Sequence, residues 1–163
     1  MSETNIRPAT QEDVADIQAM ICELAEFEKM SENVVSTEAH LHEALFGKKT
    51  CAEAIVAEHA GEAAAYALFF TNYSTFIGRP GLYLEDVYVK PQHRGKNIGT
   101  QVLQALANIA SERGYGRMDW SVLDWNQRAI DFYEKHGSTV LQEWRIVRTD
   151  ADGIAAMARK PKL

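Results

Sequence analysis

Two acids sit inside an otherwise apolar run, Leu82-Tyr83-Leu84-Glu85-Asp86-Val87-Tyr88-Val89, and a basic stretch, Arg94-Gly95-Lys96-Asn97-Ile98-Gly99, follows soon after. A carboxylate in a strand interior is costly unless it has a partner or a task. Accepting a proton is such a task. The stretch from Arg94 offers positive charge and glycines at the start of a helical pattern. Backbone N–H groups at a helix start lack intrahelical partners and favour a phosphate. The spacing fits neither the dinucleotide GxGxxG pattern nor GxxxxGK(S/T). One short segment thus supplies a candidate proton acceptor and a candidate phosphate cradle, which points to group transfer from a phosphate-bearing carrier. The plainer readings are a carboxylate paired with an arginine and a solvated turn.

These residues need a scaffold. Ile6-Arg7-Pro8-Ala9 reads as a first strand, and Thr10 with Asp13 as a capping-box variant. Val14, Ile17, Ile21 and Leu24 recur at helical spacing, which predicts a helix over about 11–28. A second helix is expected from near Ser36, carrying Leu41, Leu45 and Phe46 and stopping at Gly47. Ala54–Glu58 and Ala63–Thr71 are expected strands around a turn at Gly61. Gly78-Arg79-Pro80-Gly81 reads as a turn before the strand at 82–90, which Pro91 ends. Ile98, Val102, Leu106 and Ile109 give a third long helix closed by Gly114. Met118, Trp120 and Val122 alternate as a strand. Asn126 can cap a helix through Ile130 and Tyr133 to Gly137. A late strand is expected at Trp144–Thr149, and a helical turn or two over Ala151–Arg159. Hairpins followed by alternating helices and strands make a mixed α/β domain of three layers. No repeat or linker divides the chain, so residues 1–163 read as a single domain.

Composition sets the bounds. The 163 residues suffice for one domain with a real core. A net charge of -6 argues against nucleic acid as the main partner and suits cationic ligands. Cys22 and Cys51 form no CxxC pair and have no histidine at ligand spacing, so buried free thiols and no metal are expected. Neither a signal peptide nor an apolar run of membrane-spanning length is visible, and a cytoplasmic protein without membrane attachment is expected. His40 and His42 lie two apart on one helix and do not share a face. His59, His93 and His136 fall at turns or ends and read as solvated.

The loop Arg94–Gly99 resembles the Arg/Gln-x-x-Gly-x-Gly/Ala loop of the GNAT superfamily of N-acetyltransferases. Further segments resemble its diamine acetyltransferase branch: Ile6-Arg7-Pro8-Ala9-Thr10, Glu23-Leu24-Ala25-Glu26-Phe27-Glu28, Tyr83-Leu84-Glu85-Asp86, Val122-Leu123-Asp124-Trp125-Asn126 and Ala129-Ile130-Asp131-Phe132-Tyr133. Within that branch, Tyr73-Ser74-Thr75-Phe76 and Asp124-Trp125-Asn126-Gln127-Arg128-Ala129 are similar to the thialysine N-epsilon-acetyltransferase type. Asn97 stands where the family has its first loop glycine, and asparagine tolerates left-handed backbone better than most residues.

The resemblance implies a three-layer GNAT fold, with a mixed, mostly antiparallel sheet and helices on both faces. It implies acetyl-CoA as cosubstrate, held by Val87, Tyr88 and Val89, by Arg94, Gly95, Lys96, Asn97, Ile98, Gly99 and Thr100, and by Asn126, Ala129 and Tyr133. It implies direct attack by a small primary amine through a tetrahedral intermediate, with Glu85 as base through a water and Tyr133 as acid beside the sulfur. Glu26, Glu28, Glu85, Asp86, Asp119 and Glu143 could surround a cationic amine. The branch uses the positions of Phe27, Glu28 and Glu85 for its substrate. Trp120 and Trp144 could lie against an alkyl chain or an ammonium, although each alone reads more readily as core. Thialysine, lysine-like amino acids and diamines or polyamines are the expected acceptors, and a homodimer the expected assembly. Acetylation of a protein or peptide amine, and a silent acetyl-CoA-binding sensor domain, are the competing readings.

Overall fold

Among the described residues, five strands form one sheet in chain order: β1 (Thr4–Pro8), β2 (Glu53–His59), β3 (Glu62–Ser74), β4 (Arg79–Val89) and β5 (Met118–Trp120). The computed structural model describes residues 3–158. The first four strands pair antiparallel, and β5 joins β4 in parallel. A run of small residues makes β3 the middle of the sheet: Ala63 to Ala67 are all buried. A central strand covered on both faces reads as continuous burial rather than alternation.

Helices cover both faces. Val56, Tyr66 and Tyr88 are cross-strand partners. They pack with Val14, Ile17 and Met20 of α1 (Val14–Phe27) and with Leu41 and Leu45 of α2 (Glu38–Phe46). The alternate set, Ile55, Ala67 and Leu84, is buried on the opposite face. There α3 (Ile98–Glu112) lies against the sheet, and its stripe Ile98, Val102 and Leu106 is fully buried.

The entry to α1 is fixed by charge. Asp13 accepts from the Thr10 N–H (2.7 Å) and hydroxyl (3.0 Å) and takes both Arg7 amino groups at 2.7 and 2.8 Å. Arg7 also bonds Glu58 on β2. The expected helix over 11–28 therefore begins as a 3₁₀ turn over Gln11–Asp13 and ends at Phe27. Its stop is a Schellman motif with Lys29 in left-handed backbone at φ 59°, Lys29 N–H on Glu26 O and Met30 N–H on Ala25 O. The same motif ends α3 at Gly114.

The chain forms two compact units, residues 1–121 and 122–163. The second contains α4 (Gln127–Lys135) and α5 (Ala151–Ala158); Arg159 lies outside the described residues. Asn126 Oδ1 caps α4 on Ala129 N–H at 3.2 Å, and Gly137 at φ 86° closes it.

Three expectations fail. No strand forms over Trp144–Thr149: the backbone there bonds locally, as Trp144 N–H does to Leu141 O, and Trp144 and Val147 are 70% and 94% exposed. An alternating pattern makes a strand only where a neighbour's edge is free to pair. The turn placed at Gly78–Gly81 lies upstream, because β4 already starts at Arg79. Both cysteines are exposed rather than buried, Cys22 on the outer side of α1 and Cys51 between α2 and β2.

Candidate active site

The acidic pair lies at a defect in the sheet. Leu68 pairs with Asp86 and Phe69 with Leu84, so Glu85 is an extra residue without a cross-strand partner. Such a bulge bends the strand and re-aims its side chains. Asp86 stays in step with Tyr66 and Tyr88, and the Tyr66 hydroxyl donates to Asp86 Oδ2 at 3.2 Å. Glu85 is exposed. It is near enough to Asp86 for its charge to be felt there.

Burial and like charge hold two of these acids above their ordinary range. The Asp86 carboxyl is pushed up mainly by burial, next by Glu85, and pulled back by the Tyr66 hydroxyl. Glu28, the C-cap residue of α1, is pushed up by burial and by Asp86. Burial and then Asp86 also hold the Tyr66 phenol firmly protonated. Two carboxyls that resist ionisation in each other's presence attract a cation, which would let both ionise. An open cleft of about 430 Å³ adjoins this end of α1, lined by Cys22, Glu23 and Glu26 and by Ser31, Val34 and Ser36.

β4 then runs into the loop. β5 pairs with β4 only at Leu82, Tyr83 and Leu84. Beyond them, the edge of Val87, Tyr88 and Val89 has no β5 partner among the described residues, as an extended ligand arm lying along the strand would require. In the loop, Gly95 and Asn97 adopt left-handed backbone at φ 79° and 63°. A Cβ at Gly95 would meet nothing within 4 Å, so its glycine serves the turn rather than a contact. Asn97 takes the conformation that its residue type tolerates and flanks α3 as the N-cap residue. The first turn of α3, Ile98-Gly99-Thr100, follows with its N–H groups directed out of the helix end. These residues fit a diphosphate.

Arg94 has structural partners. Its Nε donates to Val89 O at 3.0 Å, and its guanidinium carbon lies 5.6 Å from the ring centroids of Phe27 and Tyr88. Phe27 thereby links the end of α1 to the loop. The Tyr88 hydroxyl donates to Glu23 Oε2 at 3.0 Å; burial and that bond raise its phenol.

Glu28, Glu85 and Asp86 thus come together, with the phosphate cradle on the same strand. Asp119 belongs elsewhere: its Oδ2 accepts from Arg117 Nε (2.7 Å) and Asn72 Nδ2 (3.3 Å). Trp120 is half-buried opposite Leu84 at the end of β5. Asn126, Ala129 and Tyr133 lie on or next to α4, where Tyr133 meets the Phe132 ring and its carbonyl accepts from Ser138 N–H. Glu143 and Trp144 are exposed in irregular backbone rather than strand.

Two groups escaped the sequence reading. Tyr66 is one polar-tipped ring among alanines, and that isolation was the available signal. His93, expected to be solvated, is 3% exposed, so that expectation is wrong. Its position beside a proline turn concealed its burial. Among the described residues no cluster of three or more His, Cys, Asp or Glu could hold a metal ion, and no helix is long and apolar enough to cross a membrane.

The chain resembles known proteins in sequence and in fold. The chain is 38% identical to thialysine N-epsilon-acetyltransferase of Mus musculus, covering 97% of this chain and 99% of the relative. It is 42% identical to L-ornithine N5-acetyltransferase of Arabidopsis thaliana over 58% of this chain and 41% of that one. In fold it superposes on an integron cassette protein from the mobile metagenome of V. cholerae with a TM-score of 0.79 at 22% identity, covering 96% and 98% of the two chains. A ribosomal-protein-alanine N-acetyltransferase from Brucella melitensis gives 0.71 at 18% identity, covering 90% of this chain and 100% of that one. The profile of the Acetyltransferase (GNAT) family matches residues 18–138; the chain belongs to that family and is an acetyltransferase.

Proposed function

We propose that this enzyme acetylates a small cationic primary amine, using acetyl-CoA as donor. The observation that carries this reading is the acidic group Glu28, Glu85 and Asp86 on a strand that continues into the Arg94–Gly99 cradle. Thialysine, ornithine and lysine-like amino acids or short diamines are the acceptor class, in keeping with the relatives' names.

The amine arrives protonated. With an ordinary pKa near 10.4, about one molecule in 10³ is neutral at pH 7, so the site must bind a cation and then remove its proton. Glu28 and Asp86 supply attraction: their ionisation becomes easier as the ammonium enters. Glu85, at the exposed bulge, takes the proton through a water. The backbone N–H of Val87 offers a bond to oxygen where negative charge develops in the tetrahedral intermediate. The main chain of Gly95–Thr100 holds the diphosphate, and the edge of Val87–Val89 holds the extended arm. For Asn126 and Ala129, a part in holding the cofactor rests on the family resemblance. Tyr133 donates to the departing sulfur. A thiolate is a weaker base than a phenolate by about 2 kcal/mol, so hydrogen bonding contributes more than complete transfer. The thioester supplies the activated acetyl group. A cytoplasmic homodimer completes the proposal, and the exposed Trp144, Ile146 and Val147 favour a second copy.

Thiol release from acetyl-CoA, followed across thialysine, ornithine, lysine, putrescine, spermidine and an N-terminal peptide, tests this reading. Turnover is expected with the small amines. Turnover on the peptide alone would favour a protein amine, and binding without any turnover would mark a sensor domain.

A further inference from the structure

The reaction leaves His93 without a role, yet the fold buries it. A side chain that one proton makes cationic is seldom enclosed without reason. Both ring nitrogens are engaged: Nε2 lies 2.6 Å from Glu62 Oε1, and Nδ1 lies 3.4 Å from Lys96 Nζ. A lysine ammonium only donates. Nδ1 therefore accepts, and the ring proton sits on Nε2 and is donated to Glu62.

The fold fixes each end of this chain of contacts. Ala60 and Gly61, at φ 55° and 84°, make a two-residue turn that pairs His59 with Glu62. That turn sets Glu62 as the first residue of β3. Lys90 N–H donates to Ala64 O at 2.9 Å, so the residues before the loop are clipped to the same strand. The His59 ring meets His93 edge-on at 5.5 Å and is itself 2.9 Å from Thr4 Oγ1. His93 immediately precedes Arg94, and Lys96 is inside the cradle.

We propose that His93 is a positioning residue for coenzyme A binding: Glu62 fixes its tautomer, and Nδ1 holds the Lys96 ammonium beside the diphosphate loop. This rests on the reading that the loop takes acetyl-CoA. A lysine side chain gives up considerable rotamer freedom when it engages a ligand, and ordering it beforehand removes part of that loss. The neutral acceptor matters. A carboxylate at this position would pair with the ammonium and compete with a phosphate, whereas an imidazole orients the charge without cancelling it.

Calorimetric titration with coenzyme A, without acceptor, tests the proposal. His93→Gln keeps a donor for Glu62 but removes the acceptor for Lys96; affinity is expected to fall about tenfold, the scale of one bond to a charged group. His93→Asn restores an oxygen near Nδ1 and is expected to recover most of that loss. Lys96→Met should weaken binding to a similar extent, and adding His93→Gln to it should change affinity by less than about twofold. Glu62→Gln, at a half-exposed side chain, leaves the buried ring untouched and is expected to weaken binding about threefold. Nitrogen NMR of the free protein should find the ring proton on Nε2. Wild-type affinity in His93→Gln, full additivity with Lys96→Met, or a proton on Nδ1 would each overturn the proposal. Wild-type protein that fails to bind coenzyme A would remove the underlying reading as well.

Discussion

Asp13 and Asp86 are the same residue type in sheltered places on this fold, and they are treated in opposite ways. Asp13 receives Arg7 in a two-pronged ion pair and two bonds from Thr10, which hold its carboxyl down at about 2. Asp86 receives a phenol, and the charges acting against it are those of other acids. The first arrangement is a satisfied helix entry. The second is an unbalanced charge, stable only because the surrounding sheet and helices enforce it. A site that must draw in a cation has to leave something for the cation to complete, and that incompleteness distinguishes a working acid from a structural one.

Substitution should separate the two. Glu85→Gln is expected to lower kcat about 10²–10⁴-fold, the range for loss of a general base. Asp86→Asn should act mainly on the amine KM, since its role is attraction. A larger kcat loss in Asp86→Asn than in Glu85→Gln would transfer the base assignment to Asp86. Asp13→Asn should leave kcat per folded molecule unchanged. Tyr133→Phe is expected to cost about tenfold to a hundredfold in kcat, with coenzyme A affinity measured by calorimetry staying near wild type. An unchanged kcat would remove Tyr133 from the chemistry.

Stability reverses the order. Asp13→Asn is expected to cost about 2 kcal/mol at neutral pH, because a carboxylate lowered to about 2 on folding contributes that much above its unfolded value of 3.8. This contribution is lost as pH falls from the ordinary range toward 2. Asp86 and Glu28 have folded pKa values raised from 3.8 and 4.5. The unfolded chain ionises first, so the native state loses stability as pH rises through and above those ordinary values. Asp86→Asn should therefore raise Tm at neutral pH while it weakens catalysis. Melting curves from pH 2 to 8 should show Asp13→Asn flattening the acid side and Asp86→Asn removing a loss of stability that sets in as pH rises through and above 3.8. A fall in Tm for Asp86→Asn would show that its bond with Tyr66 outweighs its burial.

The sequence made much of this legible. Leu82–Val89 showed a strand with acids in it, and Arg94–Gly99 a helix entry rich in N–H groups, because both signals are local. The left-handed backbone of Asn97 is one that its residue type was expected to tolerate. The bulge did not, since a strand carries no mark of which residue its neighbour will skip. Nor did the burial of His93, which depends on a hairpin more than thirty residues earlier in the chain. The failed strand at Trp144–Thr149 has the same cause: alternation specifies a face, while pairing is settled elsewhere.

Lys29 offers the mildest test of the comparison. It ends α1 in a left-handed conformation at φ 59°, directly after Glu28, where α3 and α4 use Gly114 and Gly137. A side chain there meets the following carbonyl and costs about 1 kcal/mol relative to glycine. The residue is exposed, so little packing is lost when its side chain is removed. Lys29→Gly is expected to stabilise the protein by about 0.5–1 kcal/mol, partly offset by the greater freedom of glycine in the unfolded chain. Because Glu28 keeps its place at the helix end, the amine KM should stay within about twofold. A stabilised variant with an unchanged KM would separate backbone strain at this end of α1 from the charge strain at Asp86. A KM that rises with stability would mean that the strained turn itself holds Glu28 against Asp86, and the two forms of strain would then be one device.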